Sequence, residues 1–265
     1  MRAITRATLN FLQRIRSRSI DEKELRASAV VFAPHQDDET LGCGGTIVRK
    51  IEAGADVSVV FLTDGSGSHP GRMAGEELAN TRAAEALAAT KMLGIAEQNV
   101  VFIGARDGEL TDHAATVMPA LQSILAERRP EQIFVPYARD RLPDHVATNA
   151  LVLDAARLAS NPVTVFEYPV WFWNHWPWMR QTTGSTAGRI RQFARESLAI
   201  LSDFNLRVPI CRVKATKRAA LDCHRTQMTN FDGSGEWPTL GDVADGDFLR
   251  CLLRDDELFH RWSLS

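Results

Sequence analysis

From residue 29 onward, short apolar runs alternate with longer stretches whose apolar residues recur at helical spacing. Ala29 to Ala33, Val57 to Thr63, Val100 to Gly104, Gln132 to Pro136 and Val163 to Tyr168 are predicted strands. Between them, Leu41 to Ala53, Ala74 to Gly94, His113 to Glu127 and Val146 to Ser160 are predicted helices, the second stopped by Gly94. Strands and helices in such regular alternation imply parallel pairing, hence an α/β fold built as a three-layer sandwich around a mostly parallel sheet.

After Tyr168 the rhythm breaks into PVWFWNHWPWMRQTTGSTAG, dense in tryptophan and then in small polar residues. Trp171, Trp173, Trp176 and Trp178 suit a sugar-stacking wall, a partner interface or a loop packed on the domain, since tryptophan is common in all three settings. Beyond it, Ser197 to Arg212 alternates like an edge strand or hairpin, and Lys214 to Gln227 and Val243 to Arg254 read as helices. The expected organisation is an N-terminal arm at 1–28 and a single domain at 29–265, with 169–265 its variable C-terminal extension.

The first 20 residues interleave Arg2, Arg6, Arg14, Arg16 and Arg18 with Leu9, Phe11, Leu12 and Ile15 at roughly helical spacing. Apolar stripes on helices usually face a core, so this one is expected against its own domain or a second subunit of a homo-oligomer. Peripheral contact with an anionic membrane surface is the alternative.

Composition narrows the function. The chain has 265 residues, 45% hydrophobic and 24% charged, which suits a soluble globular protein with a sizeable core. Its net charge of -2 gives a nucleic-acid partner no support. Four cysteines without a CxxC pair imply neither a disulfide framework nor a cysteine-rich zinc site, and a reducing cytoplasm is the expected compartment. No apolar run approaches the roughly 18 residues that span a bilayer.

The stretch VVFAPHQDDETLGCGGT, Val30 to Thr46, concentrates charge where the first predicted strand stops. In a parallel α/β sheet, sites form beyond the carboxyl ends of strands. His35 and Asp38, three apart in a tight turn, can aim an imidazole and a carboxylate at one point while Asp37 points elsewhere. Helix capping accounts for Glu39 or Thr40, but not for His35 together with two adjacent carboxylates. The following glycines let the backbone pass close to neighbouring elements. They do not make a dinucleotide fingerprint, whose glycines precede its acidic residue. A third ligand is expected from another strand end, where YARDRLPDHVATN carries Asp140, Asp144 and His145. Two imidazoles and one carboxylate suit hydrolytic zinc, and equally non-haem Fe(II). Asp144 is a candidate for orienting a neighbouring ligand or base.

APHQDDETLGCGGT and PDHVATN, joined by FLTDGSG, TRAAEALAATKMLG and RDGEL, resemble the PIG-L/LmbE family of zinc-dependent de-N-acetylases, with a weaker echo in KRAALDCHRTQ. The resemblance runs from about Ala29 to Tyr168. It implies a Rossmann-like sheet, Zn2+ or another divalent ion as cofactor, and removal of an N-acetyl group from an N-acetylglucosamine-type sugar within a larger molecule. Residue by residue, His35, Asp38 and His145 match the zinc-ligand positions and Asp37 that of the general base. Arg82 and Asp107 match positions that hold the sugar.

One departure matters. The family's second motif usually reads His-x-Asp-His, its first histidine helping to stabilise the oxyanion, whereas this chain reads Leu142-Pro143-Asp144-His145. Losing an oxyanion donor typically costs about 10²–10³ in rate. Arg141, His113, His175 and His224 are the available replacements, with Arg141 expected beside the substrate. Without a replacement, the chain reads as a metal-binding, catalytically weak carbohydrate-recognition module.

Overall fold

Every residue of the first, second and fourth predicted strands is buried, as strands covered by helices on both faces require. The computed structural model describes residues 1–159, 161–179 and 185–264. In chain order, α1 (Arg2–Arg16), β1 (Arg18–Ser19) and α2 (Glu22–Arg26) lead into β2 (Ala29–Ala33), α3 (Asp38–Glu52), β3 (Val57–Thr63) and α4 (Gly75–Met92). Then come β4 (Val100–Ala105), α5 (Ala114–Arg128), β5 (Gln132–Pro136), α6 (Pro143–Ala159) and β6 (Val163–Tyr168). The remainder supplies α7 (Thr186–Ser202), β7 (Leu206–Pro209), α8 (Lys214–Leu221), α9 (Arg225–Met228), α10 (Asp247–Leu252) and β8 (Asp256–Leu264).

The eight strands form one sheet in the order β1-β7-β8-β6-β5-β2-β3-β4. All pairings are parallel except those of β8, which runs antiparallel between β6 and β7. Alternate residues of β2 enter opposite cores, Val31 and Ala33 on one face and Val30 and Phe32 on the other, so the fold is the expected three-layer α/β sandwich. After β2 the chain adds β3 and β4 on one side, then crosses back to β5 on the other. Strand order therefore reverses beside the carboxyl ends of β2 and β5, where a crevice forms in such sheets.

The five strands and four helices predicted up to Tyr168 are all present, with ends that differ by a few residues. α6 starts earlier than expected, at Pro143, a residue whose fixed φ suits a helix start. Ser160, the predicted end of that helix, lies outside the described residues.

The C-terminal third departs more. Residues 197–202, expected as strand, complete α7, and only Leu206–Pro209 is extended. The helix expected over Lys214 to Gln227 breaks into α8 and α9 around His224, and that expected over Val243 to Arg254 shrinks to Asp247–Leu252. β8 had no counterpart among the predicted elements. Of the tryptophans, Trp173 and Trp178 are buried and Trp171 stacks on Phe248 at 4.4 Å, so this stretch is a loop packed on the domain. Residues 180–184 of the stretch lie outside the described residues.

At the other end, β1 pairs with β7, and α1 packs on α7. Only part of the apolar stripe on α1 meets its own domain. Leu9 and Gln13 face inward, while Ile4, Phe11 and Ile15 face out. Arg2 fixes the helix start by donating to the carbonyl oxygens of Pro177 and Trp178 and pairing with Asp247. Among the described residues no helix is long and apolar enough to cross a membrane.

α3 is bound unusually closely to its surroundings. A Cβ on Gly42 would sit 2.2 Å from the Tyr168 ring, and one on Gly45 2.5 Å from Ile210, so glycine lets β6 and the β7 end pack against the helix. Glu257 of β8 accepts from the N–H groups of Gly45 and Thr46 at 2.8 and 2.7 Å. Lys217 of α8 donates to Glu257, Leu41 O and Leu252 O, each at 2.8 Å, and its side chain is wholly buried.

Removing one partner of a buried ion pair strands the other charge. Lys217→Met is accordingly expected to destabilise the protein by about 3–5 kcal/mol, measured by denaturant unfolding. A loss below about 1 kcal/mol would show that Glu257 is adequately satisfied by the α3 backbone alone.

Candidate metal centre and active site

The loop after β2 is short, so His35 and Asp38 face the crevice together. Asp38 Oδ2 accepts from the His35 N–H at 3.1 Å and lies 3.1 Å from His35 Nδ1. His145, in the first turn of α6, crosses from the β5 side and brings its Nε2 to 3.2 Å from the same oxygen. The three side chains present ligand atoms within 4.8 Å of one another.

His145 Nε2 is buried, and despite its short distance to Asp38 it makes no aligned hydrogen bond. A nitrogen so placed fits a ligand to a cation shared with Asp38 and His35. The other nitrogen of each histidine is occupied. His145 Nδ1 lies 3.2 Å from Asp140 Oδ2, and His35 Nε2 lies 3.1 Å from Asp107 Oδ1 and 3.4 Å from Asp144 Oδ2. His35, Asp107 and Asp144 form a second cluster of metal-binding type. Its two carboxylates already accept backbone N–H bonds from Gly67, Gly108 and Leu110, which suits them better to orienting His35.

Asp37 stands outside both clusters. Its backbone has φ 143°, a region that favours glycine and typically costs a side-chain-bearing residue about 1–3 kcal/mol. Neighbours enforce it. Glu39 Oε2 accepts from the Asp37 N–H at 3.0 Å, Asp37 O accepts from Thr40 and Leu41, and Arg82 donates to Gln36 O at 2.7 Å. The acidic run is therefore no set of helix caps, since Asp37 holds the N-cap position without a side-chain bond and Glu39 turns back beneath it.

Burial raises the Asp37 carboxyl to about 7; Arg82, 3.5 Å away, opposes the rise and Asp38 adds to it. Burial also works against a charged Asp38, but His145 and His35 outweigh it and hold that carboxyl well below the usual range. For His145, burial disfavours the cation, yet the Asp38 and Asp140 carboxylates raise it to about 9. His35 is likewise raised, against burial, by Asp107, Asp144 and Asp38.

His35, Asp37 and Asp38 line a cleft of about 300 Å³ together with Arg82, Asp107, Leu142 and Trp171. Arg82 is only 2% exposed and also donates to Gly65 O at 3.1 Å. Arg141 does not line this cleft; it turns to α7, with its guanidinium 3.9 Å from Glu196. Among the described residues His113, His175 and His224 are absent from the lining too; the basic side chains that reach it are His35, His69 and Arg82, and burial disfavours the charged form of His69.

Two residues of the sequence motifs act through contacts that no local pattern shows. Asp140 joins elements by accepting from the Val170 and Trp171 N–H groups at 3.0 and 3.1 Å while contacting His145. Glu39 meets His224 Nε2 at 3.2 Å across 185 residues, and only the motif echo around His224 hinted that this segment returns to the site.

A divalent ion at His35, Asp38 and His145 needs neutral imidazoles, so binding must displace protons. Titration calorimetry near pH 7.5 in buffers of differing ionisation enthalpy is expected to show about one or more protons released per ion. Conversely, the metal-free protein should lose stability as pH rises from about 6.5 through about 9, because His145 is charged and paired in the fold below that window. Binding heats independent of buffer would refute the ligand set.

Residues 30–156 match the family model described as PIG-L, GlcNAc-PI de-N-acetylase. A diacetylchitobiose deacetylase of Thermococcus kodakarensis is 32% identical over 133 residues, so the match spans about half the length of each chain, 49% of both. A 1D-myo-inositol 2-acetamido-2-deoxy-alpha-D-glucopyranoside deacetylase 2 of Catenulispora acidiphila is 28% identical over 251 residues, covering 78% of this chain and 81% of that one. Among solved structures, N,N'-diacetylchitobiose deacetylase from Pyrococcus horikoshii shares the fold, with a TM-score of 0.63 at 22% identity over 89% of this chain and 84% of that chain. The matched region holds His35, Asp37, Asp38, Arg82, Asp107, Asp144 and His145, so every one of these site residues lies in the part of the chain that is similar to PIG-L proteins.

Proposed function

We propose that this protein is a metal-dependent hydrolase that removes the N-acetyl group from an N-acetylglucosamine-type amino sugar. The observation that carries the reading is the convergence of three ligand atoms within 4.8 Å beside a second carboxylate, Asp37, that is not one of them. The relatives named above act on diacetylchitobiose and on a 2-acetamido-2-deoxy-glucopyranoside, whose common unit is a 2-acetamido sugar. Zn2+ is the expected ion, held by His35, Asp38 and His145. When bound, it would acidify a water and polarise the acetamide carbonyl.

Asp37 then accepts the proton of the attacking water and returns one to the departing amine. A carboxyl near 7 is matched to both steps at neutral pH. Arg82 holds Asp37 in its strained conformation and keeps a positive charge at the cleft wall. Asp144 and Asp107 fix the His35 ring and Asp140 fixes that of His145, so both imidazoles stay aimed without substrate. Asp107 also lines the cleft, within reach of a sugar hydroxyl. With Leu142 apolar and Arg141 engaged by Glu196, neither serves the developing oxyanion. Besides His35, Arg82 is the cleft-lining cation and lies 3.5 Å from Asp37, whereas burial disfavours a charged His69.

A second reading rests on Leu142, which puts an apolar wall where the family supplies a histidine. The protein would then bind a metal and recognise an acetamido sugar, partly through Trp171, with little turnover.

Acetate release from diacetylchitobiose and other 2-acetamido sugars by zinc-loaded protein separates the two. Asp37→Asn should retain the metal and lose about 10²–10⁴ in kcat/KM. Loss of metal together with activity would move Asp37 into the ligand set. An inactive wild type, with turnover appearing only in Leu142→His, would establish the recognition module instead.

The acid limb of kcat/KM should lie at or below about pH 7, because Asp37 must be ionised to accept a proton and a bound cation lowers its pKa. Arg82→Met should move that limb upward. An unmoved limb would mean that Asp37 is not the titrating base.

A further inference from the structure

α1 shows solvent the face that an amphipathic helix normally hides. Ile4, Phe11 and Ile15 fall within about 40° of one another on the helical wheel. They are 72%, 64% and 66% exposed, with Leu12 beside them at 39%. α7, packed alongside, exposes Ile190 and Leu198 as well. The inner face of α1 is tied down by Arg2 to the Pro177–Trp178 backbone and by Gln13 to Phe204 O. The outward stripe is therefore held in place as part of the fold.

Charge identifies the occupant. Residues 1–20 hold five arginines and no acidic residue, in a chain whose net charge is -2. Arg14 and Arg16 flank the stripe, one on either side; both are exposed, although Arg14 lies 3.6 Å from Asp256 and Arg16 donates one N–H to Leu201 O at 2.9 Å, so each keeps further N–H groups for an outside anion. A second copy docking by this face about a two-fold axis would bring arginine against arginine. An anionic lipid surface satisfies both components at once, since apolar side chains enter the acyl boundary while arginines reach the phosphates. We propose that α1 is a peripheral membrane-binding element that seats Ile4, Phe11 and Ile15 in an anionic lipid surface, with Arg14 and Arg16 at the headgroups. This assignment is independent of the reaction at the cleft.

Co-sedimentation of the full chain with phosphatidylglycerol–phosphatidylcholine vesicles, and with phosphatidylcholine alone, tests it. Binding is expected on the anionic vesicles and about tenfold or more weaker on the neutral ones. Phe11→Ser/Ile15→Ser and Arg14→Gln/Arg16→Gln should each weaken binding about tenfold or more, the first while keeping the wild-type melting temperature and the second with at most a small drop from the lost Asp256 contact. The proposal fails if wild type stays in solution with anionic vesicles, or if both variants bind as well as wild type. It also fails if sedimentation velocity shows a dimer that Phe11→Ser/Ile15→Ser dissolves while vesicle binding is absent.

Discussion

Asp37, Asp38 and Glu39 stand consecutively and are all buried, and like charges so close repel unless each finds its own compensation. The rest of the site is organised by that requirement. Asp38 is balanced by His35 and His145, Asp37 by Arg82 from α4, and Glu39 by His224 from beyond α8. Each partner comes from a different part of the chain. The imidazoles then have carboxylates of their own, Asp107 and Asp144 for His35 and Asp140 for His145. Charge alternates outward from one oxygen, and a cation bound there would complete the pattern.

The same requirement explains how Asp37 is held. A residue with φ 143° relaxes unless its surroundings over-determine it. Here the bonds that fix the backbone come from the groups that neutralise the charges, Arg82 through Gln36 O and Glu39 through the Asp37 N–H. Strain and electrostatics are therefore settled by one set of contacts, so Arg82 and Glu39 belong to the geometry of the base as much as any residue of the loop.

What was legible in the sequence follows from the range of each interaction. β2, β3 and β5 are buried on both faces, so their apolar runs read without tertiary context, and His35, Asp37 and Asp38 share one loop. β8 was illegible because DELFHRWSL carries charge that makes sense only once Glu257 meets Lys217 and the α3 backbone. The helix through Lys214 to Gln227 looked continuous because nothing local shows that His224 must turn to reach Glu39. α7 was taken partly for a strand because Ser197 to Arg212 straddles a helix end and the short β7. Arg141 sits beside the site in sequence but faces α7, whereas Arg82, on α4 with β3 intervening in the chain, reaches Asp37. The stripe on α1 was plain as a pattern, yet a pattern does not say which side meets solvent.

The position of β8 bears on how the molecule assembles. It is the last strand in the sequence yet sits inside the sheet, so the β1–β7 pair has no link to the other strands until it arrives. During synthesis, the central strands and both metal-loop histidines can form early, while Lys217 and the middle of α3 wait for Glu257. A ribosome-bound chain would therefore carry the motif residues before the scaffold that steadies them, and final closure depends on contacts of high sequence separation, the slow class in folding.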